Sequence, residues 1–122
     1  LGWVGTISPH QDLGRRLRAH LGIPNGEDHL IPGEMRLPNE PDLKRGRGHF
    51  PERFNDLMAT LALPHRGAVV LVAGGLLGKI YCHRIRELGG IAIDIGSLAD
   101  AWLGYATRPG QYIKADQWRL PQ

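Results

Sequence analysis

Apolar residues along this chain come in two kinds of run. Some are continuous and short: WVGTI at 3–7, AVVLVA at 68–73 and GIAIDI at 90–95. Runs of this length, rich in Val and Ile and unbroken by polar positions, are the mark of strands buried on both faces, as in a parallel sheet covered by helices. Others recur at helical spacing. Leu13, Leu17 and Leu21 stand at i, i+4, i+8, with Arg15, Arg16 and Arg18 mostly facing away. Phe54, Leu57, Met58 and Leu61 form a second stripe, and Leu77, Ile80, Tyr81, Ile85 and Leu88 a third. The stripes are core packing, not a cofactor box.

Punctuation between the runs supplies the connections. Ser8, Pro9 and Gln11 have the form of a helix start, with Ser at the N-cap, Pro next and Gln as capping-box partner. Gly22 stands where a left-handed residue closes a helix. A weak strand is expected at 29–31, and Pro51 opens the second helix. Gly74 and Gly75 follow the strand at 68–73, and Gly89 and Gly90 end the third helix, expected at 77–88. Ser97 and Asp100 suggest a capping box at the start of a short helix reaching Leu103, with capping as the first role of both. Residues 34–50 show no periodicity and carry Lys44, Arg45 and Arg47. A stretch of that kind is either a mobile surface loop or a flap whose arginines meet an anionic ligand. Residues 104–122 are irregular, with Trp118 expected to anchor them. The order βα, β–loop–α, βα, βα predicts one Rossmann-like α/β domain over 1–122, with about four parallel strands and helices on both faces.

Composition narrows the function classes. The chain has 122 residues, 42% hydrophobic and 22% charged, as expected for one small globular domain. A net charge of +3 is too weak to indicate nucleic acid as a partner. A single cysteine rules out an internal disulfide and suggests a reducing, cytoplasmic compartment. No apolar run approaches the roughly 20 residues that span a bilayer. The start at Leu1, which enters a strand almost at once, suggests a piece of a longer protein.

In a parallel sheet every strand-to-helix turn opens on one edge, and ligands bind there. That edge would gather Ser8 and His10 from the first turn and Glu34 with the basic loop from the second. The third would add Gly74, Gly75, Gly78 and Lys79, and the fourth Asp94, Gly96, Ser97 and Asp100. The segment GGLLGK at 74–79 matches neither G-x-G-x-x-G nor the P-loop pattern, because Ile80 follows Lys79. Its glycines either allow a tight turn and close helix–strand packing or let backbone N–H groups approach a phosphate at a helix N-terminus. Asp94, at a strand end, would suit a divalent cation, a ribose hydroxyl or a sugar hydroxyl. The six histidines show no zinc spacing, Cys82 is placed for packing, and no G-x-S-x-G elbow occurs.

The pieces VVLVAGGLLGK at 69–79 and LGGIAIDIGSLADAW at 88–102 resemble the GT-D-type glycosyltransferases and related uncharacterised bacterial proteins. HFPERF at 49–54 matches loosely. The resemblance implies a Rossmann-like domain that binds a sugar nucleotide. Gly74, Gly75, Gly78, Lys79, Asp94, Gly96 and Ser97 would line the site, and a divalent metal, Mn or Mg, would be held by Asp94. The activity implied is transfer of a hexose to an unspecified acceptor, in surface polysaccharide or glycoprotein assembly. Arg45, Arg47 or Arg108 would add positive charge as the leaving group develops. The Asp-x-Glu metal motif of that family does not occur here. The expectation is therefore that the chain holds only the C-terminal half of such a domain, with catalysis dependent on residues elsewhere and dimerisation favoured. Two other readings stand beside it. One is a non-catalytic Rossmann-like module that binds a nucleotide or a partner protein. The other is an NAD-type oxidoreductase domain, disfavoured by the missing fingerprint.

Overall fold

The apolar runs at 3–7 and 68–73 become the two inner strands of a sheet. In the computed structural model, which describes residues 1–33, 49–96, 98–104 and 119–121, strand β1 is Val4–Ser8 and β3 is Val69–Val72. All five β1 residues are buried, as are three of the four in β3. Strand β2, Asp28–Leu30, flanks β1, and β4, Ile91–Asp94, flanks β3. The order is β2-β1-β3-β4 and every pair is parallel, with Ile7 opposite Val72 and Val72 opposite Asp94. The expected α/β fold, four parallel strands with helices on both faces, is the fold observed.

Two cores follow from the alternation of side chains along the inner strands. Ile7, Val70 and Val72 point to one face, where they meet Leu57 and Leu61, Tyr81 and Ile85. The first two come from helix α2 (Phe54–Thr60) and its end, the other two from helix α3 (Gly75–Glu87). Val4 and Leu71 point the other way, to Leu13 and Leu17 of helix α1 (Leu13–Leu21) and Ala99 of helix α4 (Leu98–Trp102). Right-handed crossovers require this division. The chain leaves β1 in one direction across the sheet and returns past it to β3, so α1 and α3 fall on opposite faces.

Several expectations shift. α1 begins at Leu13, not at Ser8, because Ser8 is still in the sheet, where its carbonyl accepts the Ile31 N–H (3.0 Å). Asp12 occupies the N-cap without a side-chain cap bond. Leu21 is exposed, since eight positions carry it about 80° round the helix from Leu13. Ile80, about 100° from Tyr81, is exposed for the same reason. α2 is preceded by a wide turn over His49–Arg53, and α3 starts at Gly75, earlier than the apolar stripe indicated. Gly22 closes α1 at φ 69°, as its position implies. The largest correction concerns β4. It is an edge strand, with Ile91 50% and Ile93 46% exposed on the face opposite α3. An apolar run identifies a strand but not whether helices cover both its faces.

Arg18 does not face solvent. Its guanidinium donates to both Asp28 carboxylate oxygens (2.7 Å each) and to the Val4 carbonyl (3.1 Å), while Thr6 Oγ1 donates to Asp28 Oδ1 (2.8 Å). This network ties α1 to β1 and β2. Burial pushes the Asp28 carboxyl up, but the hydrogen bonds from Arg18 and Thr6 and the Arg18 charge outweigh it and hold it below its ordinary value. Burial holds His29 below its ordinary value, against the opposing charge of Glu27. Both groups bind fewer protons folded than unfolded, so both add stability at neutral pH that acid removes. The urea midpoint is therefore expected to fall in two stages. The first comes as pH drops below about 6.5, from His29, and the second below about 4, from Asp28. Asp28→Asn removes the second stage, and a midpoint that rises on acidification would contradict the assignment.

Candidate functional site

Where α1 and α3 depart to opposite faces, the carboxyl ends of the adjacent strands β1 and β3 form a topological switch point, the position at which open α/β sheets place a ligand crevice. Ser8 and His10 form its first wall. Ser8 is buried, and its Oγ accepts the His10 N–H (3.1 Å) and donates to the His10 carbonyl (3.2 Å). That local turn, not a helix cap, is the work of Ser8.

The second wall is the turn at 74–75 and the head of α3. Gly74 is buried, and a Cβ there would lie 2.9 Å from Gly78 Cα and 3.1 Å from Gly78 N. Only a residue without a side chain lets the strand end pass this close to the first helical turn. Gly75 has φ +61° and is exposed. Gly78 is buried over β3, where a Cβ would meet Val72 Cγ1 at 3.5 Å. The Gly78 N–H donates to the Gly74 carbonyl (3.2 Å), so the amides of 75–77 precede the hydrogen-bond ladder of α3. These amides and the exposed Lys79 give this end of a 13-residue helix its positive character.

Asp94 ends β4. It is exposed, so the burial cost expected of a charge in a strand does not arise, and its Oδ1 accepts the Gly96 N–H (3.0 Å). Asp94 and Lys79 come from different turns yet act on the same thiol. Burial pushes Cys82 up, the Asp94 carboxylate adds to that, and Lys79 opposes it. Cys82 is thus a poor nucleophile, in keeping with a packing role. Its alkylation by iodoacetamide is expected to be slower than that of a free thiol. Asp94→Asn should speed it and Lys79→Met should slow it, each by a few-fold. Rates unaffected by either change would separate the three side chains.

The contact that strand-end reasoning missed is between His10 and Asp100. His10 Nε2 lies 2.5 Å from Asp100 Oδ1, with the side chains 21% and 18% exposed. The two residues stand 90 positions apart. α4 folds back over the α1 face, where Ala99 and Ala101 are buried, and this carries Asp100 across to the turn after β1. Asp100, assigned to capping by its spacing, is engaged with His10. Its spacing from Ser97 fits a cap, and no local pattern points to His10; only the shared edge linked them.

Ser97, Arg108, Glu34, Arg45, Arg47 and Trp118, together with the loop expected to act as a flap, lie outside the described residues. Among the described residues no three His, Cys, Asp or Glu side chains converge as a metal site would require. No helix among them is long and apolar enough to cross a membrane. His49 is buried and contacts the hydroxyl of the equally buried Tyr81, inside the core rather than at the edge. A cavity of about 510 Å³ lies at the opposite, amino edge, between His65, Arg66 and residues 86–89 at the end of α3. It is shallow and shares none of the strand-end turns, so the carboxyl-edge crevice is the better candidate on topology. No family model, curated protein or solved structure matches the chain.

Proposed function

We propose that the carboxyl-edge crevice binds a sugar nucleotide and that the chain serves in transfer of its hexose to an acceptor, in surface polysaccharide or glycoprotein assembly. The observation that carries this reading is topological: β4 pairs in parallel with β3, with Asp94 opposite Val72, so Asp94 and the 74–79 turn stand at the same edge of the sheet. The resemblance at 69–79 and 88–102 supports the same reading.

The parts have complementary chemistry. A diphosphate needs donors and positive charge, which the amides at the head of α3 and Lys79 offer. The ribose and hexose offer hydroxyl donors, which suit the exposed Asp94 carboxylate: its Oδ1 accepts the Gly96 N–H, and its Oδ2 would accept from the ligand's hydroxyls. Among the described residues, Asp94 is the carboxylate that would be offered to a divalent cation at this point. Such a cation fits if diphosphate oxygens provide most of its ligands, as magnesium at phosphate sites commonly has it. It would supply neutralisation of the charge that builds on the leaving diphosphate.

Calorimetry of the full chain with UDP-glucose and UDP-galactose, with and without Mn²⁺, tests the reading. Metal-dependent binding is expected, abolished by Asp94→Ala and weakened roughly tenfold by Lys79→Met, about the value of one charge-assisted contact. A folded chain that binds neither donor would overturn it.

A further inference from the structure

We infer that two copies of this chain pair antiparallel through the outer edge of β4, about a two-fold axis at Ala92; this surface is independent of the sugar-nucleotide reading. Among the described residues nothing pairs with that edge. The hydrogen bonds on the inner side show which groups it presents. The Ile91 N–H donates to the Ala68 carbonyl (2.8 Å) and the Ile95 N–H to the Val72 carbonyl (2.9 Å), so the odd-numbered residues of β4 bond β3. The N–H and C=O groups of Ala92 and Asp94 therefore face outward. Natural edge strands commonly carry a lysine or a proline that blocks further pairing. The sequence of β4, IAID, has neither.

The side chains favour a second copy of the same strand. Ile91 and Ile93 share one face of β4, and both are about half exposed. Antiparallel pairing sets outward-facing residues opposite one another in hydrogen-bonded pairs, and the residues between them in closer, non-hydrogen-bonded pairs. With Ala92 opposite its own copy, Ile91 falls opposite the second copy's Ile93, and Ile93 opposite its Ile91. All four isoleucines then meet on one face, as a self-complementary interface requires. Other two-fold registers are poorer. One centred on Ile91 leaves Ile93 opposite Gly89, and one centred on Ile93 or Asp94 draws the two Asp94 carboxylates together.

Charge selects the same register. It lays the carboxyl end of each β4 against the amino end of the other, so Asp94 stands opposite Gly90, beside the C-terminal end of the second copy's α3. The two-fold axis runs normal to the sheet, which keeps both α3 helices on the face that carries both Asp94 side chains. Cys82 and Ala92 pack against one core cluster beneath α3, and Arg86 stands one turn beyond Cys82 on that side of the helix. Asp94 and Arg86 are both exposed, and neither has an ion-pair partner among the described residues. The pairing gives each carboxylate an arginine from the other copy, twice per interface.

Sedimentation equilibrium of the full chain over a wide concentration range tests the inference. The unaltered chain is expected to dimerise. Ile93→Lys should raise the dimer Kd roughly 100-fold, because the change falls twice in a two-fold interface. Arg86→Glu should raise it about tenfold, as expected of two exposed ion pairs turned repulsive. Both positions are exposed, so urea midpoints measured at dilute, monomeric concentration should match the unaltered chain; this separates lost pairing from lost folding. The register has its own readout. In a Cys82→Ser background, oxidation of an equal mixture of Ile91→Cys and Ile93→Cys chains should link one of each, faster than either variant links to itself. A chain that stays monomeric at every concentration would overturn the inference. So would a dimer that Ile93→Lys leaves intact, or linkage as fast within one variant as between the two.

Discussion

Gly14→Ala is expected to destabilise the protein by about 2–4 kcal/mol, although the same exchange in an exposed helix interior stabilises by roughly 1 kcal/mol. Gly14 is buried on α1 and faces Asp28, so a Cβ would lie 1.9 Å from Asp28 Oδ1 and 2.4 Å from its Cγ. That carboxylate cannot give way freely, because Arg18 holds both its oxygens and Thr6 bonds one of them. Moving it strips a little-exposed guanidinium and a buried hydroxyl of their acceptor, at about 1–3 kcal/mol, and the crowding adds a comparable amount. Gly78→Ala in α3 is the control. Its Cβ would meet Val72 Cγ1 at an ordinary 3.5 Å, so this variant should gain about 0.5–1 kcal/mol. Urea unfolding of the two variants checks both signs, and a Gly14→Ala protein as stable as the parent would contradict the network.

Leu13→Ala is expected to cost about 2–5 kcal/mol. Leu13 is fully buried at the head of α1, in the cluster that also holds Val4, Leu71 and Ala99 from both inner strands and α4. It also begins the helix that the His10 turn leads into. Its loss should therefore loosen the seat of α4 and the His10–Asp100 contact together. Urea unfolding gives the cost, and hydrogen exchange should show faster opening of α4 and the 9–12 turn than of β1. A loss below about 1 kcal/mol, or uniform exchange, would mean that α4 is held by other contacts.

These variants also show how far the residues announce the structure. The inner strands are legible because burial on both faces demands continuous apolar residues, which WVGTI and VVLV supply. Parallel pairing follows from the alternation of elements, but the order β2-β1-β3-β4 does not, since right-handed crossovers allow several orders. Gathering Ser8, His10, Asp94, Gly96 and Asp100 at one edge needed only the parallel pairing. The remainder depends on partners far apart in the chain. Arg18 reads as one of several solvent-facing arginines until Asp28 is seen beneath it. Asp100 fits a capping box until α4 is seen to fold back toward His10. Ile91 and Ile93 look like core residues because exposure at a sheet edge is decided by what lies beside the strand, not by the strand itself. Local patterns specify elements; which polar groups meet is a property of the packing.

The central claim, that the β1/β3 crevice at the carboxyl edge is the nucleotide-sugar site, is tested most directly by mapping amide chemical-shift changes as UDP-glucose and Mg²⁺ are added to the full chain. The account predicts changes concentrated at residues 8–10, 74–79 and 94–96, with the turn at 63–67 and residues 86–89 unmoved. Shifts confined to that opposite edge, around Arg66 and Arg86, or no shifts at saturating donor, would contradict it.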